Sequence, residues 1–463
     1  MFPTTTYQTR RKHLIDQFDA GLILLMGNEM SSINYPDQHY PFRQDSTFLY
    51  YFGVDRPGLN GLIEVESGDS YLFGDEYTLD MLVWMGPQTT LAELAQDSGL
   101  ERPVPSAELP GRLAEARQKG RSIHFLPPYR PENKLRLQQW LGIDPIALGS
   151  AASVELIDAV IAQRSYKTDE EVAQMIMATD LSGQMHRAGM AATKPGLTEA
   201  AVMAEVYARA HAANSRPAYG IICSVHGEVL HNEHYDNLLT EDRLLLLDAG
   251  GESPLHYAGD ITRTWPVSGR FTQQQRDVYQ IVEKALTEVA AALRPGLPYR
   301  EAHLKAAHLL FDGLKSLGLT QGDTSEAVAA GAHALFFPHG LGHHIGLDVH
   351  DMEDLGEDRV GYGPQMQRSG QFGLRSLRLG RPLEAGFALT VEPGLYFIPD
   401  LIDAWKAEGK AKDFIRFDKL EPYRNFGGIR LENDYLITAD GARLLGDPIP
   451  LTVEEVESAM VSE

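Results

Sequence analysis

The chain has 463 residues, 43% of them hydrophobic, enough to bury a sizeable core and more than one domain of ordinary size. Its 41 basic and 64 acidic residues leave a formal charge of −23, which repels phosphate backbones and anionic bilayers and argues against nucleic acid or membrane as a partner. A single cysteine, Cys223, excludes an intrachain disulfide and fits a reducing compartment.

The amino-terminal stretch MFPTTTYQTRRKHLIDQF lacks an apolar core of signal-peptide length, and no later run reaches the roughly eighteen apolar residues that a membrane span needs. A soluble, cytoplasmic protein is expected. Up to about residue 165, short apolar runs (GLILLMG, SYLFG, SIHFLP) alternate with helical patterns such as TTLAELAQDSG and LPGRLAEARQKG, as in a small α/β domain. At SYKTDEEVAQM, Thr168 and Glu171 stand three apart as a capping box ahead of a long helix, and a second domain is expected to open there. The expected division is therefore 1–165 and 166–463.

The second domain carries a faint internal repeat. The tetrads KPGL at 194–197 and RPGL at 294–297 lie one hundred residues apart, each closing one helix and opening another. The later helix of the first kind starts at Thr272, with Gln275 three residues on. Proline and glycine punctuate many helices, so coincidence is one reading and two related halves around one site is the other.

Strand patterns follow, and they place acidic residues where a core would not want them. RLLLLDAGG ends on Asp248, and HYAGDITRTWPV puts Asp260, Thr262 and Thr264 on one face by alternation. GFALTVEPGLYF embeds Glu392 among β-branched and aromatic residues, and GGIRLENDYLIT alternates Ile429 and Leu431 against Arg430, Glu432 and Asp434. One such carboxylate is most simply solvent-facing or salt-bridged. Several converging on one buried place need a compensating positive charge. Two divalent cations balance four carboxylates and leave room for one neutral imidazole. HGLGHHIGLDVHD, residues 339–351, offers four of the chain's sixteen histidines for that place. Its glycines are wrongly spaced for a dinucleotide fingerprint.

Taken in order, DAG with Asp248, GDITRT with Asp260, HGLGH with His343, TVEPG with Glu392 and GGIRLE with Glu432 resemble the five ligand motifs of the proline-specific metallopeptidases of the pita-bread fold. The resemblance spans nearly the whole chain. It implies an α/β (α+β) protein: a small α/β N-terminal domain of creatinase/prolidase type, then a pita-bread catalytic domain with internal pseudo-twofold symmetry. YPFRQDSTFLYYFGVDRPG, residues 40–58, is similar to the family's N-terminal domain, which methionine aminopeptidases lack. One departure is that Asp248 and Asp260 lie twelve apart, one more than is usual, an extra residue that the hairpin GGESPLHYAG is expected to absorb.

By the same resemblance, Asp248, Asp260, His343, Glu392 and Glu432 hold two divalent metal ions. One imidazole and four carboxylates make a hard, oxygen-rich set that favours manganese, with cobalt or zinc as substitutes. Glu392 is implied as the base that moves the proton, His350 or His339 as the group that steadies the oxyanion, and His231, His339 and His350 as substrate contacts. His344 has no implied role. Arg430, two residues before Glu432, is expected to orient that carboxylate as an outer partner.

The activity implied is hydrolysis of an Xaa-Pro bond in di- or oligopeptides, by a homo-oligomer, dimer or tetramer. The segment GLRSLRLGRPLEAG with Arg378 looks closest to the prolidase branch, in which the matching arginine grips the free carboxylate of a dipeptide. A plain surface salt bridge is the other reading of Arg378. An Xaa-Pro aminopeptidase acting on longer peptides is the alternative activity. More distant alternatives are a non-catalytic pita-bread binding module and the metal-free hydrolysis of creatinase, both of which typically lose the ligands present here.

Overall fold

The computed structural model describes residues 1–461 apart from Glu233 and Gln365. The chain divides into two compact units, Met1–Arg164 and Ser165–Glu463. Among the described residues, no helix is long and apolar enough to cross a membrane.

The first unit is built on a four-stranded mixed sheet in the order Ser70–Phe73, Asn60–Glu64, Leu22–Met26, Ile123–Phe125. The first three strands pair antiparallel and the last joins parallel to Leu22–Met26. Apolar LILLM is almost wholly buried, as befits a central strand. The stretch at 40–58 folds as the helix Ser46–Phe52, capped by Asp45, whose carboxylate accepts from the Phe48 N–H at 2.8 Å. All seven of its residues are buried, and buried Arg10 and Arg11 donate to the Tyr50 and Tyr51 carbonyls near its C-terminal end. It stops at Gly53, whose φ is +72° and where a Cβ would lie 2.2 Å from the Tyr7 ring. One helix of this unit, Leu79–Met85, buries nothing, and Trp84 is 88% exposed.

The second unit, α+β in its layering, repeats one plan. Helices Asp169–Ala192 and Glu199–Ala212 precede an antiparallel sheet of Ile222–Ser224, Leu244–Asp248 and Thr262–Pro266. Helices Gln273–Ala290 and Tyr299–Ser316 precede the paired strands Ala388–Val391 with Asn433–Ile437, and Gly394–Tyr396 with Gly428–Arg430. Both long helices open with complete capping boxes, Thr168 with Glu171 and Thr272 with Gln275. The two tetrads fold alike. Gly196 and Gly296 take φ of +86° and +84°, and their N–H groups donate to Leu239 O and Leu383 O. The same partners return N–H bonds to Leu197 O and Leu297 O at 2.8 and 2.9 Å. Identical turns tied identically to the following strand segment mark a duplicated unit, the pseudo-twofold of the pita-bread fold.

Two local arrangements brace the hairpin that follows Leu244–Asp248 and the loop at 339–351. His186, fully buried on the first long helix, places Nε2–H between the carbonyls of Ala249 and Ile261, at 3.2 and 2.9 Å, and so pins that helix to the hairpin. Lys167 and Asp351 form a 2.8 Å ion pair with both side chains 1% exposed, packed on Gly346, where a Cβ would lie 2.4 Å from Asp351 Oδ2.

Candidate active site

The hairpin that carries Asp248 and Asp260 keeps one register throughout. Asp248 stands opposite Thr262, Gly259 N–H donates to Gly251 O, and Ser253 N–H donates to Tyr257 O. The turn is confined to residues 254–256, with His256 left-handed at φ +67°. A constant register down to Ser253 and Tyr257 leaves that turn as the place for any added residue, and Asp248, Asp260 and Thr262 share one face.

Glu392 and Glu432 sit in matching breaks. Val391 pairs with Asn433 and Gly394 with Arg430, so the unbroken register would set Glu392 directly opposite Glu432. Pro393 has no N–H for the ladder. The Glu392 N–H donates instead to Leu341 O at 2.8 Å and the Glu432 N–H to Thr262 O at 3.0 Å. The ladder thus opens at the two glutamates and hands each backbone to the segment bearing another candidate donor, the 339–343 loop in one case and the Asp260 strand in the other.

The result is a cavity of about 500 Å³ lined by Asp248, Asp260, His343, Glu392 and Glu432 together with His231, His339, His350, Arg378 and Arg430. Every site residue picked from sequence lines it. Ligand atoms of Asp260, His343 and Glu432 lie within 4.8 Å of one another, a set able to hold a metal ion. His343 Nδ1–H donates to the His344 carbonyl at 3.0 Å, which leaves Nε2 facing Asp260 at 3.5 Å and Glu392 at 3.8 Å. His344 turns away and packs edge-on against Phe387, fully buried.

Charge in this cavity is unbalanced by protein alone. Burial raises Asp248, and it raises Glu432 and Asp434 well above the carboxylate range, with repulsion from Asp260 adding to each. Glu392 is raised to about 7, by burial first, with His343 and Arg430 pulling back. Burial would lower His343, but Asp260 and Glu392 outweigh it and carry the imidazole to about 9. Asp434 Oδ2 accepts from Asp260 N–H, while its Oδ1 is buried with no hydrogen bond to a described residue. Carboxylates pushed this far towards neutrality, with an imidazole forced to charge among them, are what a donor set for divalent cations looks like with protein charges alone. The residues fit the metal.

Arg430 departs from the sequence expectation. It donates to Asp248 Oδ2 at 2.7 Å, to the Tyr396 hydroxyl at 3.0 Å and to Thr262 Oγ1 at 3.1 Å. Glu432 is held by Thr262, whose hydroxyl donates to it at 2.6 Å. Arg430 and Glu432 share the cavity face and meet only through Thr262, whose hydroxyl accepts from one and donates to the other.

The two candidate oxyanion histidines also differ. His339 Nδ1–H donates to Gly340 O at 2.7 Å and Nε2 accepts from the Tyr396 hydroxyl at 2.8 Å, so both nitrogens are committed. Burial lowers it to about 3 and keeps it neutral. His350 uses Nδ1 toward Glu353 at 3.3 Å, and its Nε2 has no hydrogen bond to a described residue. His231 is exposed at the cavity wall. Arg378 pairs with Glu353 and, at 3.4 Å, with Glu357.

Sequence reasoning did not single out Tyr219, Tyr396 or Glu353. The Tyr219 hydroxyl lies 2.6 Å from Asp248 Oδ1 and 2.5 Å from Asp260 Oδ1, and its one proton can go to either. Tyr396 stands four residues beyond Glu392, an even spacing that alternation could have flagged.

Residues 173–439 match the description of metallopeptidase family M24. The chain belongs to that family. Residues 7–124 match the aminopeptidase P N-terminal domain. Over 95% of its length the chain is 31% identical to human Xaa-Pro dipeptidase, of which it covers 89%, and over 98% it is 30% identical to Escherichia coli Xaa-Pro aminopeptidase, of which it covers 97%. The solved aminopeptidase PepP of Pseudomonas aeruginosa superposes with a TM-score of 0.83 at 29% identity, covering all of this chain and 98% of that one. A Zn-substituted E. coli aminopeptidase P in complex with product gives 0.80, also at 29% identity, covering all of this chain and 99% of that one. The protein is an M24 metallopeptidase whose relatives act on Xaa-Pro substrates.

Proposed function

We propose that this M24 enzyme is an Xaa-Pro dipeptidase, with residues 1–165 as its N-terminal domain and 166–463 as its catalytic domain. The observation that carries the reading is Arg378 on the wall of the same cavity as the five candidate donors, where a guanidinium can take the free carboxylate of a dipeptide. Asp248, Asp260, His343, Glu392 and Glu432 would hold two divalent ions, manganese by the hardness of the set, with cobalt or zinc as substitutes. Those ions supply positive charge that acidifies water and polarises the scissile carbonyl.

The chain's own residues do the rest. Glu392 takes the proton from the attacking water and returns it to the departing proline nitrogen. As the imidazolium, with Nδ1 facing the Glu353 carboxylate, His350 would donate Nε2–H to the developing oxyanion, a role that His339, tied at both nitrogens, leaves to it. His339 instead sets the wall beside Glu392, 3.6 Å away, and with His231 contacts substrate. Arg430 with Tyr396 holds Asp248 in place.

The second reading, an Xaa-Pro aminopeptidase, is favoured by the likeness to aminopeptidase P structures over the whole chain. Metal analysis with turnover of an Xaa-Pro dipeptide and an Xaa-Pro-Xaa tripeptide separates the two. Arg378→Ala should cost the dipeptide far more than the tripeptide, and a wild type faster on tripeptides would overturn the dipeptidase reading. We also propose a homo-oligomer, dimer or tetramer, in the cytoplasm. The bare apolar helix Leu79–Met85 supports self-association and the single buried cysteine fits a reducing compartment. Trp84→Glu should lower the mass seen by light scattering.

A further inference from the structure

Behind the cavity wall, outside the residues that line it, Glu353 uses one oxygen for two partners. Its Oε2 takes the Arg378 Nη1–H and lies 3.3 Å from His350 Nδ1. Both partners line the cavity, whereas Glu353 does not, and its side chain is only 16% exposed.

We infer that Glu353 is a positioning residue that fastens the carboxylate-gripping arginine to the oxyanion histidine, so that recognition of the substrate's free carboxylate and stabilisation of the reacting carbonyl share one support. This rests on the dipeptidase reading of Arg378 and deepens it. Arg378 spends Nη1 on Glu353 and Glu357, neither of which lines the cavity, and its other nitrogens make no hydrogen bond to a described residue. His350 spends Nδ1 and keeps Nε2. Each group is therefore held by the atom that substrate does not need.

The surrounding chain is built to hold Glu353 there. Met352, buried, takes a left-handed φ of +64°, a conformation that non-glycine residues rarely adopt, immediately before Glu353. The short helix Glu357–Gly361 lies against the Arg378 backbone so closely that a Cβ on Gly361 would be 1.7 Å from Arg378 O. Gly380 and Arg381 both donate to Gly361 O, and the Tyr362 hydroxyl donates to Leu377 O. The acidic turn and the Arg378 segment are thus bonded and packed together.

The test compares an Xaa-Pro dipeptide with its C-terminal amide, which offers no carboxylate, on the metal-loaded enzyme. Glu353→Ala should lower kcat about tenfold on both substrates and raise KM about tenfold on the free acid alone, the scale of one lost charge-assisted hydrogen bond for each partner. Glu353→Gln, whose amide oxygen still accepts, should recover much of both. In an Arg378→Ala background the acid-specific KM effect of Glu353→Ala should vanish while the kcat effect remains. An Arg378→Ala enzyme with an unchanged acid-to-amide ratio would sink the grip itself. If Arg378→Ala shifts that ratio but Glu353→Ala does not, or if Glu353→Ala costs both substrates equally with no KM split, only the shared support fails.

Discussion

Two neighbouring histidines of one short loop have opposite fates, and the reason is one carbonyl. His343 gives Nδ1–H to the His344 carbonyl and turns Nε2 to the carboxylates, while the His344 ring goes to Phe387. His343→Ala is expected to reduce bound metal sharply and His344→Ala to leave it near stoichiometric, by metal analysis of protein purified without chelator. Equal loss in both would reverse the choice between them. Glu392→Gln keeps the volume but cannot take a proton. It should fold, as read by circular dichroism, and lose about a hundredfold or more in kcat, the usual contribution of a general base. Retention of a tenth of wild-type turnover would remove Glu392 from that role. Legibility at this scale followed chemistry. The five donor motifs are compact strings that a reader can match, whereas the contact of Glu353 with Arg378 crosses 25 residues of irregular chain without period or motif.

Elements were legible where their signals are local. Capping boxes at Thr168 and Thr272 lie within four residues of sequence and appear as read. The breaks at Glu392 and Glu432 were hidden, because an apolar run reads as a continuous strand while the interruption depends on what the partner strand and a third segment offer. The buried pair between Lys167, just ahead of the first long helix, and Asp351, in the histidine loop, belongs to this scale. Asp351→Ala removes the carboxylate paired with a buried lysine and should cost about 3–5 kcal/mol of unfolding free energy in urea, with Lys167→Met plus Asp351→Leu recovering most of it. A double variant as unstable as the single would show that packing rather than charge governs the site.

Across the whole molecule, buried histidines set how the fold meets acid. Burial lowers His186 to about 3 and His333 to about 4. Both are neutral in the folded chain, whereas an unfolded histidine takes a proton below about 6.5. The unfolded state therefore binds more protons as pH falls, so stability is whole above about 6.5. It should decline by up to about 1.4 kcal/mol per pH unit for each histidine, down to about pH 4 for His333 and about pH 3 for His186. Urea midpoints at pH 7 and pH 5 check this, and His333→Leu should flatten the decline. A slope unchanged in that variant would clear His333 of it.

The opened ladder at Glu392 and Glu432 has one more consequence, for the order in which the chain becomes itself. Thr262 and Glu432 meet across 170 residues of sequence, and the donors come from both halves of the duplicated unit. Contacts of such long range form slowly, since the intervening loop must be closed before anything is gained. Neither half of the repeat can complete the donor set by itself, so ion uptake during refolding is a clock for the final docking of the halves. Helix formation, which is local, runs ahead of it.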